Sequence, residues 1–270
     1  MTRYAVIGDP VAHSKSPRIH QLFADQFDAD VLYEAIQVTS DGLEGFVDRF
    51  FSAEGGGLNV TVPHKETAFA LCLSTSPQAE LARAVNTLML DSSGQLFGDN
   101  TDGRGIVTDI TRNYQVPLTG QRVLLIGAGG AARGALPALI EQAPAQIVLV
   151  NRTVAKAQTL QNEFAHVARI EASSFDKLNA EPFDVIINAT SLSLHGELPP
   201  LSPGLITDTT CCYDMMYGDS DTVFVSWAKE QGAGISLDGL GMLVEQAAES
   251  FLLWQGMRPQ TKPVIAALRG

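Results

Sequence analysis

The stretch that decides the fold is Arg122-Val-Leu-Leu-Ile-Gly-Ala-Gly-Gly-Ala-Ala-Arg-Gly-Ala-Leu136. Residues 123–126 are a run of β-favouring apolar residues, which is typical of a strand buried on both faces. Gly127, Gly129 and Gly130 follow at once, and the alanine-rich segment after them favours a helix. A strand, a Gly-x-Gly-x-x-Ala turn and a helix, in that order, indicate a dinucleotide-binding unit.

The small residues of this turn each have a physical role in such a unit. Gly127 permits the tight turn, Gly129 lets the backbone approach a pyrophosphate, and Ala132 allows the helix to pack closely on the strand. The pyrophosphate binds to the N–H groups at the positive end of the helix. A glycine-rich turn that binds no nucleotide is the alternative. The predicted cofactor contacts in the loop are Gly127, Ala128, Gly129, Gly130 and Ala131.

The end of the next strand indicates which dinucleotide binds. NAD-binding units carry an acidic residue there, about 20 residues beyond the glycines, which accepts a hydrogen bond from the ribose 2′-hydroxyl. Here Asn151, Arg152 and Thr153 follow the strand, and Lys156 is close behind. These side chains donate hydrogen bonds, and a guanidinium suits a 2′-phosphate, which a carboxylate would repel. We therefore favour NADP over NAD; the alternative is a helix-start Asn beside an exposed Arg.

The composition is that of a folded protein with a sizeable core. Hydrophobic residues make up 45% and charged residues 18% of the 270-residue chain, which is long enough for two modest domains. The formal net charge of −12 disfavours nucleic acid as a partner, because nucleic acid binding needs a basic face. Cys72, Cys211 and Cys212 form neither a disulfide framework nor a Cys-x-x-Cys motif, so no metal site is predicted.

Strand and helix patterns alternate before and after the glycine turn. The earlier part predicts an α/β domain of its own, with a hairpin at residues 86–97. After the turn, short apolar segments are spaced for a parallel sheet, at residues 147–150, 183–188, 209–213 and 235–237. We expect an α/β fold with an N-terminal α/β domain (1–103), a Rossmann-type doubly wound domain (104–238) and a helical C-terminal segment (239–270). The pattern alone leaves open where that last segment packs.

Polar side chains of the first domain gather in four segments, at residues 13–17, 59–65, 84–87 and 98–103. Because ligands of α/β sheets bind at the carboxyl ends of strands, these segments can converge on one site. Asn59 and Thr61 are expected on the same side of their strand. Ser16 is expected either to bind a carboxylate or to cap the helix that follows. Taken alone, Lys65 is more typical of a solvated surface charge than of a catalytic group. His64 beside it is the more obvious general base by residue type, but the pattern identifies neither.

These segments together resemble the shikimate dehydrogenase family over nearly the whole chain. Four motifs are similar to those of its substrate domain: Ser-Lys-Ser-Pro-x-x-His (14–20), Asn-Val-Thr-Val-Pro-x-Lys (59–65), Ala-Val-Asn-Thr (84–87) and Gly-Asp-Asn-Thr-Asp-Gly (98–103). Five more are similar to those of its NADP domain and last helix: Gly-Ala-Gly-Gly-Ala (127–131), Asn-Arg-Thr (151–153), Asn-Ala-Thr-Ser (188–191), Tyr-Asp-Met-x-Tyr (213–217) and Asp-Gly-Leu-Gly-Met-Leu-Val-x-Gln (238–246).

The resemblance implies NADPH-dependent reduction of 3-dehydroshikimate to shikimate, in the pathway to aromatic amino acids. It implies that Lys65 and Asp102 are the catalytic pair and that Ser14 and Ser16 bind the substrate carboxylate. The implied ligands of the ring hydroxyls are Asn59, Thr61, Asn86, Asp102, Tyr217 and Gln246. The implied further cofactor contacts are Thr190, Met215 and Gly239. A substrate ligand at Gln246 also implies that the C-terminal segment packs back on the first domain.

The chain departs from the family pattern at three positions. His64 stands where the family commonly has Phe, Ser193 where a Gly is often found, and Val223 where a Pro is common. We expect His64 to pack as a flat ring, although it would tune Lys65 if it faced the substrate. None of the three is a predicted catalytic position.

Two alternatives stay open at this point. One is a quinate/shikimate dehydrogenase that accepts NAD, and the other is a non-catalytic NADP-binding regulator. The apolar run at residues 4–7 is too short for a signal peptide, and no stretch approaches the length of a membrane span. We therefore expect a cytoplasmic protein with a small-molecule substrate and no membrane or nucleic acid partner, as a monomer or homodimer.

Overall fold

A computed structural model describes residues 1–178 and 181–270, and its two six-stranded sheets belong to different units of the chain. The first unit comprises Met1–Gly105 and Val244–Gly270, and the second comprises Ile106–Leu243. Each boundary between the units thus lies a few residues further along the chain than the sequence predicted. Most of the C-terminal segment belongs to the first unit.

The sheet of the first unit is mixed, with the strand order β2-β1-β3-β5-β6-β4. Its strands are β1 (Thr2–Gly8), β2 (Val31–Gln37), β3 (Gly57–Val60), β4 (Ser74–Thr75), β5 (Thr87–Leu90) and β6 (Leu96–Asp99). The first three strands pair in parallel, whereas β5 pairs antiparallel with both β3 and β6. The antiparallel pair of β5 and β6 is the predicted hairpin, which is confirmed.

The sheet of the second unit is parallel throughout, with the order β12-β11-β10-β7-β8-β9. Its strands are β7 (Arg122–Ile126), β8 (Gln146–Val150), β9 (Ile170–Ser173), β10 (Val185–Asn188), β11 (Cys211–Asp214) and β12 (Ile235–Leu237). Counted from β7, this is the order 3-2-1-4-5-6 of doubly wound dinucleotide-binding folds. The predicted α/β fold with a Rossmann-type unit is confirmed.

The helices follow the strands closely in the chain. They are α1 (Ser16–Asp25), α2 (Leu43–Ser52), α3 (Lys65–Leu71), α4 (Pro77–Ala82), α5 (Asp102–Thr108), α6 (Gly130–Glu141), α7 (Val154–Phe164), α8 (Val223–Glu230), α9 (Leu240–Gln255) and α10 (Lys262–Arg269). A π-helical turn, Asp109–Asn113, continues α5. In the described part of the chain, no helix is long and apolar enough to cross a membrane. The cytoplasmic location stays a prediction.

The core of the second unit shows why the glycine stretch organises it. Val123, Leu124, Leu125 and Ile126 are each 0% exposed, as expected for a central strand covered on both faces. Ala132 in α6 is also 0% exposed, and its small side chain lets the helix approach the sheet. The predicted close packing at this position is confirmed.

The cysteines of β11 are part of the same core. Cys211 and Cys212 are free thiols with almost no exposed surface. Burial raises the pKa of each thiol to about 12, which keeps both in the unreactive protonated form. The pair thus packs in the strand as small apolar residues.

Candidate active site

Lys65 and Asp102, the predicted catalytic pair, are in direct contact in the first unit. Lys65 is the first residue of α3 and Asp102 the first residue of α5. Lys65 Nζ lies 2.5 Å from Asp102 Oδ2, and the two side chains are 29% and 11% exposed. A charge-assisted hydrogen bond of this kind fixes the ammonium group while leaving part of it open to a ligand. The pair can therefore hold a proton at a defined position.

Asn86 binds the other oxygen of the Asp102 carboxylate. Asn86 Nδ2 donates to Asp102 Oδ1 at 2.8 Å and to Thr101 Oγ1 at 2.9 Å, and Asn86 Oδ1 accepts from Thr101 N at 2.9 Å. Gln246 Oε1 in α9 accepts from Asn86 Nδ2 at 3.3 Å. Residues from four separate segments thus form one hydrogen-bonded cluster around the carboxylate.

The Asn59 side chain is buried, and both its nitrogen and its oxygen are hydrogen-bonded. Its Nδ2 donates to Asn86 O, Thr87 Oγ1 and Ser250 Oγ at 3.1, 3.2 and 2.9 Å. Its Oδ1 accepts from the Tyr33 hydroxyl at 2.7 Å. Both amide hydrogens are thus shared among these three acceptors. Its predicted contact with a ring hydroxyl stays a prediction.

Ser14 and Ser16 differ from the expected capping arrangement. The α1 helix begins at Ser16, Lys15 stands in the cap position, and no side chain caps the helix there. Ser14 Oγ instead accepts from Ser16 N at 3.2 Å, because Ser14 precedes the first turn and faces its amides. Ser16 is 5% exposed, and its hydroxyl is hydrogen-bonded to Tyr33. The prediction that Ser16 caps the helix is wrong.

Thr61 lies just beyond the end of β3, which stops at Val60, so it does not belong to the same strand as Asn59. The backbone accounts for this ending, since Thr61 N donates to Ile7 O at 2.9 Å and His64 N donates to Thr61 O in a turn. The argument that Asn59 and Thr61 share one face of a strand therefore does not hold. Thr61 is half-buried and stays a predicted substrate contact.

His64 is a buried structural residue at the start of α3. It is 1% exposed, and its Nε2 lies 2.6 Å from Val38 O. Because a carbonyl oxygen only accepts, this nitrogen carries the hydrogen and donates it. His64 thus packs inside the protein, as expected, and the bond to Val38 ties the beginning of the lysine-bearing helix to the segment after β2.

Two aromatic residues near the cluster were not identified from the sequence. His20 stacks on Tyr33 with ring centroids 4.1 Å apart and an interplanar angle of 6°. Burial lowers the pKa of His20 to about 3, with a smaller opposing contribution from a hydrogen bond to Asn59, so its ring is neutral near pH 7. The histidine in the 14–20 motif was a visible signal for this contact, whereas nothing in the sequence around Tyr33 pointed to it.

The glycine loop of the second unit has the geometry that the pattern predicts. Gly127 has φ +106°, a value that L side chains rarely adopt. A Cβ atom on Gly127 would lie 3.1 Å from Thr190 Cγ2 and 3.2 Å from Ala189 O. These residues follow β7 and β10, the neighbouring strands at which the strand order reverses, where ligands of such folds bind.

The next two glycines face open space at the beginning of α6. Both Gly129 and Gly130 are exposed, and a Cβ atom on either would have no neighbour within 4 Å. The first amides of a helix lack intrahelical acceptors, so donors face this space. The open space and the amides therefore fit a diphosphate. Gly127 contributes the positive φ that the turn before the helix requires.

The residues after β8 carry the predicted selectivity for NADP. Asn151 Nδ2 donates to Thr153 O at 2.9 Å, which fits the alternative of a helix-start Asn. Arg152 and Lys156 are exposed, and within the described residues neither forms an ion pair. Two free cations at the end of this strand fit a 2′-phosphate.

Met215 and Gly239 approach each other at the ends of β11 and β12. A Cβ atom on Gly239 would lie only 2.2 Å from Met215 O, so a larger residue could not keep this backbone position. Gly239 N also donates to Met216 O at 3.0 Å. Tyr217, the one predicted substrate ligand in the second unit, is half-buried, and burial raises the pKa of its hydroxyl.

The two departures in the second unit have structural explanations. Ser193 Oγ donates to Asp214 Oδ2 at 2.6 Å, a bond that glycine could not make. Val223 begins α8 without a proline because Thr222 caps the helix, accepting from Val225 N at 3.2 Å.

Models of one family match successive parts of the chain. A shikimate dehydrogenase substrate binding domain matches residues 6–88, and a shikimate / quinate 5-dehydrogenase model matches residues 110–195. A shikimate 5′-dehydrogenase C-terminal domain matches residues 239–269. The matches cover most of the chain and span both units.

Individual proteins are similar over the full length. A protein of Alkalilimnicola ehrlichii named shikimate dehydrogenase (NADP(+)) is 55% identical over 99% of this chain and 98% of its own. The structure of an Ael1 enzyme from Pseudomonas putida has a TM-score of 0.94 and 44% identity, over 99% of this chain and 98% of that one. The structure of Thermus thermophilus shikimate 5-dehydrogenase, in complex with NADP(H) and shikimate, has a TM-score of 0.88 and 33% identity. The match covers 100% of this chain and 99% of that one. The chain belongs to the shikimate dehydrogenase family.

Proposed function

We propose that this protein catalyses the reversible, NADPH-dependent reduction of 3-dehydroshikimate to shikimate. The observation that carries the proposal is the contact of 2.5 Å between Lys65 Nζ and Asp102 Oδ2, with Asn86 on the other carboxylate oxygen. Relatives about half identical to this chain over their full length are named shikimate dehydrogenase (NADP(+)). Lys65 and Asp102 are the pair that we propose for this chemistry.

Lys65 is the proposed proton donor in the direction of reduction. When bound, NADPH supplies a hydride, and the substrate oxygen then needs a proton. The Lys65 ammonium group can deliver it, because its hydrogen bond to Asp102 leaves other N–H hydrogens directed elsewhere. Asp102 holds the amine in place and can accept a hydrogen bond from a neighbouring hydroxyl. In the oxidation of shikimate the neutral amine of Lys65 takes the proton back.

The substrate is proposed to bind through neutral donors and acceptors. Ser14 and Ser16 would bind its carboxylate, and its ring hydroxyls would be bound by Thr61, Asn86, Asp102, Tyr217 and Gln246. A site built from such groups rejects analogues that lack a hydroxyl, because buried polar atoms would be left unpaired. Asn59 is proposed as a further ligand of a ring hydroxyl, and its Nδ2 also donates to the backbone oxygen of Asn86 at 3.1 Å.

The cofactor is proposed to bind to the second unit. Its diphosphate would lie against the loop formed by Gly127, Ala128, Gly129, Gly130 and Ala131. The 2′-phosphate would be bound by Arg152 with help from Asn151, Thr153 and Lys156. Thr190, Met215 and Gly239 would contact the rest of the cofactor. Open space at two of the glycines and the two exposed cations support this assignment.

A steady-state assay with two substrates and two cofactors tests the proposal. Purified protein is mixed with shikimate or quinate and with NADP⁺ or NAD⁺, and formation of the reduced cofactor is followed by absorbance. We expect turnover with shikimate and NADP⁺ far above the other three combinations. Equal use of NAD⁺ and quinate would support the quinate/shikimate alternative. Binding of both ligands without any turnover would support the non-catalytic regulator and contradict the proposal.

A further inference from the structure

Asp214, at the end of β11, is a buried carboxylate held by neutral donors alone among the described residues. It is 0% exposed, and burial raises its pKa, although its hydrogen bonds act in the opposite direction. Ser193 Oγ and Thr222 Oγ1 donate to Oδ2 at 2.6 and 2.7 Å. Asn188 Nδ2 and Met216 N both donate to Oδ1 at 3.1 Å. Such a carboxylate is stable only while its donors stay in place.

The donors come from segments that carry proposed cofactor contacts. Asn188 ends β10, and its Oδ1 accepts from Thr190 N at 3.1 Å and from Thr190 Oγ1 at 2.7 Å. Met216 is the neighbour of Met215 in the turn after β11. Asp214 therefore connects the loop after β10 with the turn after β11, one carrying Thr190 and the other Met215.

Ser193 links the loop after β10 to Asp214 through its own hydroxyl. It lies in the 3₁₀ turn Leu192–His195, half-buried, and its Oγ also lies 3.4 Å from Asn188 Nδ2. Without the Ser193 hydroxyl, Asp214 Oδ2 would keep only the hydrogen bond from Thr222. The 3₁₀ turn would then lose its hydrogen bond to the end of β11. The loop that carries Thr190 would then be tied to Asp214 only through the side chain of Asn188.

We propose that Ser193 and Asp214 are positioning residues for the cofactor loops, which hold Thr190 and Met215 in their binding arrangement before NADP(H) arrives. The inference rests on the proposed function, because it takes Thr190 and Met215 as cofactor contacts. Ser193 acts through Asp214 and Asn188 and touches neither the substrate nor the reacting atoms. Its effect therefore belongs to cofactor binding and not to the chemical step.

The test compares Ser193→Ala and Ser193→Thr with a matched control, Ser202→Ala. Ser202 is exposed in the same unit, and its side chain caps no helix. The dissociation constant for NADPH is measured by fluorescence titration, together with the KM values, kcat and the melting temperature. We expect Ser193→Ala to raise the NADPH dissociation constant about three- to tenfold, the size of effect expected for one ordinary hydrogen bond. The KM for shikimate should not change, and Ser193→Thr should restore tight binding because it keeps a hydroxyl.

Each outcome is decisive for one of the two proposals. If the unmodified protein does not bind NADPH, the proposed function fails. If it binds NADPH and Ser193→Ala binds equally well, the positioning role is wrong. Equal changes in both KM values, or no recovery with Ser193→Thr, would likewise contradict it. A lower melting temperature without a change in the NADPH dissociation constant would show that Ser193 only stabilises the fold.

Discussion

The Tyr213 hydroxyl donates to Asp109 Oδ2 at 2.7 Å and accepts from Met242 N at 3.2 Å. Tyr213 is 0% exposed and Asp109 is 1% exposed. Burial raises the pKa of Tyr213 well above its usual value, and the Asp109 charge adds to this, so the phenol keeps its hydrogen and donates it. One hydroxyl thus joins β11 to the π-helical turn after α5 and to the beginning of α9 within the second unit.

Replacing Tyr213 by Phe is expected to destabilise this unit. The change removes one donor from a buried carboxylate and one acceptor from a backbone amide, while the ring stays in place. We expect the free energy of unfolding to fall by about 1–3 kcal/mol in chemical denaturation. Ser202→Ala, which removes an exposed hydroxyl from the same unit, is the control and should change the free energy by less than about 0.5 kcal/mol. Equal effects of the two substitutions would contradict the structural role of the Tyr213 hydroxyl.

Replacing Lys65 by Met should reduce kcat far more than it weakens substrate binding. Methionine has similar length but no proton to donate, and general acid–base groups contribute about 10²- to 10⁴-fold to rate. Lys229→Met is a matched control, because Lys229 is 55% exposed and pairs with Asp221 at the surface of the second unit. Steady-state kinetics and a shikimate binding titration separate the two quantities. An unchanged kcat in Lys65→Met would rule out Lys65 as the proton donor.

The sequence predicted most of the parallel sheet but missed β9, one of its two edge strands. Residues 123–126 and 147–150 are continuous apolar runs because both faces of these central strands are covered. β9 was not predicted, since Ile170 is its only fully buried residue and the strand pairs with β8 alone. Pattern analysis detects burial, and an edge strand with one covered face gives little of that signal.

The family resemblance implied the site residues and the pairing of Lys65 with Asp102, but most other connections of the site were not predicted. Lys65 and Asp102 come from different motifs, and their contact follows from how α3 and α5 begin, which no local pattern specifies. Asn59 illustrates the same limit, because its saturation depends on Ser250, far away in the chain. The family resemblance implied which groups do chemistry, whereas the hydrogen bonds that each group already makes depend on its three-dimensional neighbours.

Replacing Arg152 by Ala should raise the KM for NADP⁺ about tenfold and leave the KM for NAD⁺ nearly unchanged, since one charge-assisted contact is worth about 1.4 kcal/mol or more. The exposed guanidinium has no described ion-pair partner, so its loss disturbs no internal contact. Arg169→Ala, another exposed arginine of the second unit, is the control. Kinetics with both cofactors provide the measurement. Equal changes for NADP⁺ and NAD⁺ would show that Arg152 does not recognise the 2′-phosphate.

His20 is expected to make the protein less stable in mild acid. In the unfolded chain its imidazole has a pKa near 6.5 and is protonated below that pH, whereas burial holds the folded value at about 3. The unfolded state therefore binds more protons between these values, and stability falls as the pH drops from 6.5 toward 3.

His20→Phe keeps a flat ring against Tyr33 but has no group to protonate. Between about pH 7.5 and about pH 5, we expect the unmodified protein to lose about 2 kcal/mol more free energy of unfolding than the variant does. Urea denaturation of both proteins at the two pH values measures this difference, and the comparison cancels the contribution of every other titrating group. Parallel losses in the two proteins would mean that His20 takes up its proton equally in the folded and unfolded states, so that it does not penalise folding in acid.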